Sequence, residues 1–278
     1  GAVRTAVRLR EAHGIRASLF YLGEYVADAG AIEHNTRQAM QACAALGQAG
    51  LDVHVSIDPT AIGYMRGDEL GRGNARRIAV AAREAAAGGR DWVVLDMEDS
   101  GLHQRTCALH RELLRAGLPA GLTLQARRLG TPADLALAIG QRTSLRLVKG
   151  AFPERALDHA GRARIDRAYL DAAAIMLSPA ARESGFLPVF GTHDDRLAGA
   201  IMTLARERGW APEAFEFEML YGVRPDWQLA LRQLGYAVRV YLPFGEDWWP
   251  YAARRIGEHP RNAWLLARSL HARDRYFG

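Results

Sequence analysis

The stretch SLRLVKGAF, residues 144–152, sets leucines at 145 and 147 around Arg146, continues through Val148, and breaks at Lys149 and Gly150. An apolar run of this length that ends in a polar residue and a glycine reads as a buried strand running into a loop. Lys149 is also the only lysine: of 36 basic residues, every other one is arginine. A strand end that retains the sole ammonium is a candidate functional position.

The same pattern recurs along the chain. LDVHVSI begins at Leu51, DWVVLDM at Asp91, GLTLQA at Gly121 and LRLVKG at Leu145, then LPVFGTH at Leu187, FEFEML at Phe215 and VRVYLP at Val238. Helical spacing fills the intervals, as in NARRIAVAAREAAAG and RIDRAYLDAAAIML. Alternating strands and helices predict βα units around a parallel sheet. Seven strands are explicit, and an eighth is expected between Phe152 and Asp166. The fold class is α/β, a (βα)8 TIM-like barrel. Residues 1–50 carry two helical stretches, AVRTAVRLREA and AIEHNTRQAMQACAAL, expected as N-terminal accessory helices packed on a barrel formed by residues 51–278. An open doubly wound sheet is the rival, but its glycine fingerprint does not follow the first strand. GRGNAR, from Gly71, reads as a loop entering a helix.

Composition narrows the function classes. The 278 residues suffice for one large domain, and 49% hydrophobic with 24% charged residues excludes a disordered chain. Cys43 and Cys107 are too few for a disulfide scaffold and too far apart for a CxxC site, and they read as free thiols in a reducing compartment. No secretory leader or membrane-length apolar run is evident. The net charge of +5 suits anionic partners or cofactors, but basic and acidic residues are interspersed. With no zinc-finger or RNP-like spacing, nucleic acid is not an expected partner.

In a barrel, the residues ending the strands converge on the C-terminal mouth, where such folds place their chemistry. Here they are Asp58, Asp96 with Glu98, Gln125, Lys149, His193, Glu218 and Tyr241. Asp96, Glu98 and His193 are metal-ligand types, but their separation gives no metal motif and no metal is expected. Lys149 at a strand end also suits a Schiff-base aldolase. Towards the C-terminus, Tyr251, Arg254, Arg255 and Glu258 share a helix face by spacing. Adjacent guanidiniums offer forks to a carboxylate or phosphate, while an ion-paired surface helix explains the same spacing.

Seven blocks in order, IDPTAIG, LDMEDS, LQARR, RLVKGAF, GTHD, FEFEMLYG and YLPFG, followed by YAARRIGEHP, resemble the bacterial proline dehydrogenase family over most of the chain. The resemblance implies FAD at the barrel mouth, a final helix over it, and oxidation of L-proline to 1-pyrroline-5-carboxylate by hydride transfer to flavin N5. It implies Arg146 against the flavin, Gln125 at its pyrimidine edge and Lys149 at its ribityl or pyrophosphate part. Thr192, His193 and Glu258 would hold the remainder of the cofactor. Arg254 and Arg255 would bind the substrate carboxylate, with Asp96, Leu220, Tyr241 and Tyr251 shaping the pocket. It also implies a cytoplasmic protein, with a quinone at the inner membrane face as electron acceptor. Four positions depart from the pattern: Asp58 stands where a lysine is usual, Phe152 and Arg127 where tyrosines are, and Glu218 where a glutamine is. These keep open another cyclic or secondary amine as substrate, or a flavin-binding homologue without catalysis.

Overall fold

The computed structural model describes residues 1–150, 158–245 and Tyr276. Among them, eight parallel strands close into a barrel in sequence order. The first half runs α1 (Ala2–His13), β1 (Arg16–Tyr21), α2 (Ala29–Gln48), β2 (Val53–Ile57), α3 (Asp68–Ala86), β3 (Asp91–Leu95), α4 (Ser100–Arg115) and β4 (Gly121–Gln125). The second half runs α5 (Thr131–Ala138), β5 (Ser144–Val148), α6 (Arg162–Met176), α7 (Pro179–Glu183), β6 (Leu187–Gly191), α8 (Asp195–Glu207), β7 (Glu216–Leu220), α9 (Pro225–Gln233) and β8 (Ala237–Phe244). β1 pairs with β8 in register from Arg16 against Arg239 to Tyr21 against Phe244, which closes the ring.

The expected barrel is present, but its eighth strand is not where the sequence pattern put it. It is β1, RASLFY, inside residues 1–50, so that segment is not a purely helical accessory. Arg16, Ala17 and Ser18 dilute its apolar signal, and its pairing with β2 and β8 supplies what local propensity lacks. α1 alone precedes the barrel and packs on β1 and β8. GRGNAR is also not a loop, because Gly71–Arg76 lies within α3. Gly71 is needed there for packing: a Cβ would fall 2.0 Å from Cδ2 of Tyr64. The expected final helix lies outside the described residues.

Period-two alternation in the strands separates two environments. Val53, Val55 and Ile57, or Phe215, Phe217 and Met219, join the apolar layer under the helices. On α3 that layer is met by Ala75, Ile78, Ala79 and Ala82, a stripe at helical spacing. The alternate positions face inward and are largely polar, with Phe20 and Val189 as apolar exceptions. Arg146 on β5 donates to Ser56 on β2 (2.8 Å), a contact between non-adjacent strands that must cross the barrel. Lower down, Arg239 donates from Nε to Glu216 Oε2 (2.6 Å) and from Nη2 to Asp52 (3.1 Å), and Arg16 reaches Glu216 Oε1 at 2.5 Å. The interior is thus filled by paired charges, which is tolerable only because each carboxylate and guanidinium has partners.

Candidate active site

The mouth of the barrel opens on a cavity of about 250 Å3. Asp58, Asp96, Glu98, Arg146, His193, Glu218, Leu220 and Tyr241, eight of the positions singled out in the sequence, line it. β1, unread in the sequence, adds Phe20 and then Glu24 to the wall, and Thr123 is a further lining residue that no motif marked.

Arg146 is the hub. Its Nε donates to Glu218 Oε2 at 3.1 Å and its Nη1 to Asp96 Oδ1 at 2.5 Å and Thr123 Oγ1 at 3.4 Å. Nη2 donates to Ser56 and lies 2.9 Å from Glu218 Oε1. The guanidinium carbon stands 5.0 Å from the centre of the Tyr241 ring, a cation–π distance. Tyr241 donates its hydroxyl to Asp96 Oδ2 (2.9 Å), and Thr123 donates to Asp96 Oδ1 (2.7 Å). Asp96 and Tyr241 are therefore held by hydrogen bonds before any ligand enters.

Glu98 sets the loop that carries Asp58. Its carboxylate accepts from the Thr60 backbone N–H (2.9 Å) and hydroxyl (2.5 Å), fixing the tight 3-10 turn of Pro59–Ile62 that follows Asp58. Burial pushes the Glu98 carboxyl up to about 7, against the Thr60 hydrogen bonds that favour its charged form. Asp58 itself is buried at the end of β2.

The cofactor-type positions separate into two groups. His193 lines the cavity and accepts the Leu220 backbone N–H on Nε2 at 3.0 Å, so a neutral ring carries its hydrogen on Nδ1. Lys149 stands at the rim, with Nζ 2.5 Å from Asp166 Oδ1 and 3.3 Å from Asp194 Oδ2. Asp194 caps α8 by accepting from Arg196 N (3.1 Å). Burial works against its charge, yet Lys149 and that cap keep its carboxyl below the usual range. Thr192 is buried and accepts from Asp194 N (3.1 Å). Gln125 spends its amide hydrogens on the carbonyls of Met97 and Glu98 (3.2 and 3.1 Å). Arg127 does not line the cavity: its Nε pairs with Asp158 Oδ2 at 2.9 Å and its Nη1 donates to Gly150 O at 3.2 Å, so it does not offset Asp58 from the cavity wall. Tyr251, Arg254, Arg255 and Glu258, with Phe152, lie outside the described residues.

Asp96, Glu98 and His193 do not bring ligand atoms together. Among the described residues the group within metal-binding reach is His103, Cys107 and Asp134, away from the cavity, where His103 Nε2 already shares a 2.7 Å hydrogen bond with Asp134. No helix among the described residues is long and apolar enough to cross a membrane.

The sequence profile of the proline dehydrogenase family matches residues 2–267. A proline dehydrogenase 1 of Bacillus subtilis is 32% identical over 269 residues, which are 97% of this chain and 86% of that protein. The proline dehydrogenase of Deinococcus radiodurans is 34% identical over 271 residues, covering 95% and 84%. Among solved structures, proline utilization A from Corynebacterium freiburgense superposes with a TM-score of 0.79 at 23% identity over 99% of this chain. The same protein from Bdellovibrio bacteriovorus, inactivated by N-propargylglycine, gives 0.77 at 21% identity over 88%. The chain spans 31% and 30% of those two longer proteins, and that likeness speaks for the barrel alone. Profile and relatives agree: the chain belongs to the proline dehydrogenase family and is an oxidoreductase.

Proposed function

We propose that this protein catalyses the flavin-dependent oxidation of L-proline, or a close cyclic imino acid, to the corresponding imine, which for proline is 1-pyrroline-5-carboxylate. The observation that carries the reading is the Asp96–Tyr241–Arg146 assembly in the mouth cavity of a chain from this family.

FAD fits the chemistry of the donor set. At the rim, Lys149, Arg162 and Arg196 surround Asp166 and Asp194, three cations to two carboxylates beside the N-terminus of α8. Excess positive charge at a helix N-terminus suits a pyrophosphate. Lys149, with Thr192 and His193, would hold that part of the cofactor, and Glu258 is assigned with them. Gln125, its amide hydrogens spent, would offer its carbonyl oxygen to the N–H of the pyrimidine edge, and Arg146 would stand against the ring system. When bound, the flavin supplies the acceptor for the hydride that leaves the amine carbon.

The protein's own part is binding and orientation. Amine oxidation draws on the nitrogen lone pair, so the site must hold the ring with its nitrogen deprotonated and its C–H directed at the acceptor. Leu220 gives an apolar wall, while Asp96 and Tyr241, fixed by their mutual hydrogen bond, give a polar one that needs no rearrangement on binding. Arg254 and Arg255 would hold a substrate carboxylate, with Tyr251 closing the pocket. A quinone at a membrane surface is the proposed electron acceptor, and the protein would act in the cytoplasm or docked at the inner membrane face.

A second reading has its own observation. The described lining contains the carboxylates of Glu24, Asp58, Asp96, Glu98 and Glu218 against the single guanidinium of Arg146. That balance favours a cyclic amine recognised through its nitrogen. Anaerobic mixing of flavin-loaded protein with L-proline, pyrrolidine and hydroxyproline tests both. Bleaching of the flavin by proline supports the first, bleaching by pyrrolidine alone supports the second, and failure to take up flavin overturns the proposal.

A further inference from the structure

From Arg146 a line of polar side chains continues into the barrel and ends at a buried histidine, His54. Ser18 on β1, and His54 and Ser56 on β2 between the apolar Val53, Val55 and Ile57, are all buried. Arg146 Nη2 meets Ser56 Oγ at 2.8 Å, Ser56 Oγ stands 3.3 Å from Ser18 Oγ, and Ser18 Oγ stands 2.9 Å from His54 Nδ1. His54 Nε2 is buried without a hydrogen-bond partner among the described residues. His54 does not line the mouth cavity, so any effect it has on the chemistry there passes through Arg146.

A guanidinium only donates, so Ser56 accepts from Arg146. Two directions remain for the hydrogens beyond it. If Ser56 donates to Ser18 and Ser18 donates to Nδ1, every group down to the ring is satisfied, and the hydrogen on Nε2 is the one orphan. If Nδ1 donates to Ser18 and Ser18 to Ser56, the Ser56 hydrogen has no acceptor among the described residues and the bare Nε2 is a second orphan. Each buried polar group left unpaired is destabilising, so the first direction prevails. It requires a neutral ring. Burial first, then the charges of Arg239 and Arg146, hold His54 well below its ordinary pKa, which keeps Nδ1 available as an acceptor.

We propose that His54 is a positioning residue for the reaction. By accepting at Nδ1 it draws the Ser18 and Ser56 hydroxyl hydrogens away from Arg146 and leaves a Ser56 lone pair facing Nη2. The guanidinium that clasps Asp96 and Glu218 is thereby held in one orientation. Without that acceptor the hydroxyls can turn, and a Ser56 hydrogen turned towards Nη2 sets donor against donor. The inference rests on the amine-oxidation reading and adds the group that fixes its central cation from behind.

Nitrogen-15 NMR of the whole, flavin-loaded chain labelled in histidine separates bare from protonated ring nitrogens, and the signals lost in His54→Asn are those of His54. A bare Nδ1 with hydrogen on Nε2 is expected. Hydrogen on Nδ1 overturns the inference and leaves the amine-oxidation reading standing. Anaerobic bleaching of the flavin by L-proline supplies the second arm. His54→Leu keeps the bulk and removes the acceptor, and Ser18→Ala cuts the line in its middle. Each should lower the limiting rate about three- to tenfold, the scale of one hydrogen bond, with flavin occupancy after gel filtration unchanged. His54→Asn is smaller but offers an amide oxygen in place of Nδ1, and its rate should stay within about twofold of the natural protein's. The double variant Ser18→Ala/His54→Leu should lose no more than the worse single one, since both changes break one line. A role in packing alone would make His54→Asn no better than His54→Leu and would sum the two losses in the double variant; either result overturns the proposal. Should His54→Leu not fold, Ser18→Ala and the ring signals decide the matter, and an unchanged rate in Ser18→Ala is fatal. If the loaded natural protein bleaches with none of L-proline, hydroxyproline and pyrrolidine, the amine-oxidation reading falls, and the positioning role with it.

Discussion

Replacing Glu216 by glutamine preserves a side chain's shape and deletes the charge that Arg239, Arg16 and Arg90 share in the lower barrel. Glu216 is fully buried, as is Arg239, which donates to both its oxygens at 2.6 and 3.2 Å; Arg16 adds a third contact at 2.5 Å. Burial alone would raise the Glu216 pKa, but Arg239 and Arg16 prevail and hold it at about 2, against an ordinary 4.5. Each pKa unit is worth about 1.4 kcal/mol, so the interaction contributes about 3 kcal/mol at neutral pH. That agrees with the ~3–5 kcal/mol lost when one member of a buried pair is removed. The folded pKa lies below the unfolded one. The contribution is therefore complete above pH 4.5 and is lost as pH falls towards 2. Urea unfolding at pH 7 and at pH 3 measures it. Glu216→Gln should lose about 3 kcal/mol at pH 7, with the gap to the natural protein narrowing at pH 3. A loss below about 1 kcal/mol at pH 7, the scale of an exposed pair, would refute the reasoning. So would a gap that does not change with pH.

Three further outcomes are expected. Lys149→Met leaves Asp166 and Asp194 facing an anionic cofactor without their shared ammonium, so the flavin-to-protein ratio after gel filtration should fall severalfold; an unchanged ratio removes Lys149 from the cofactor site. Gly150 has φ 105°, and a Cβ there would lie 2.7 Å from Arg127 Cδ and 2.9 Å from Gln125 Oε1. Gly150→Ala should therefore lose about 1–3 kcal/mol in thermal or urea unfolding, and an unshifted midpoint would show that the loop relaxes freely. Glu98 has a folded pKa raised by burial from 4.5 to about 7, so its contribution is complete below pH 4.5 and is lost as pH rises through 7. Glu98→Gln should lack that decline when urea midpoints at pH 5 and pH 8 are compared, and parallel curves for the two proteins would contradict it.

Seven strands were legible because apolar residues at alternate positions, as in Val53, Val55 and Ile57, must be buried under helices whatever the rest of the chain does. β1 was not, because Arg16 and Ser18 point into a polar interior whose partners, Glu216 and Ser56, are 200 and 38 residues away. Local pattern carries no trace of such pairing. Asp58, Asp96, His193 and Tyr241 could be assigned to one mouth from their positions at strand ends, since parallel strands in a barrel all finish on one side. Glu24 could not, as it follows the strand that went unread. The direction of a long side chain was equally invisible. Arg127 turns to Asp158 and Arg146 to Glu218, choices made by tertiary charge pairing.

Whether this cavity oxidises a cyclic amine with a bound flavin is decided by anaerobic stopped-flow absorbance of the flavin-loaded protein mixed with L-proline. The oxidised flavin band should bleach in a saturable manner. Asp58→Lys, which places a cation where the described wall carries an acid, should lower the proline concentration for half-maximal rate. A flavin that stays oxidised with L-proline, hydroxyproline and pyrrolidine alike, in protein shown to be loaded, would rule out amine oxidation at this site.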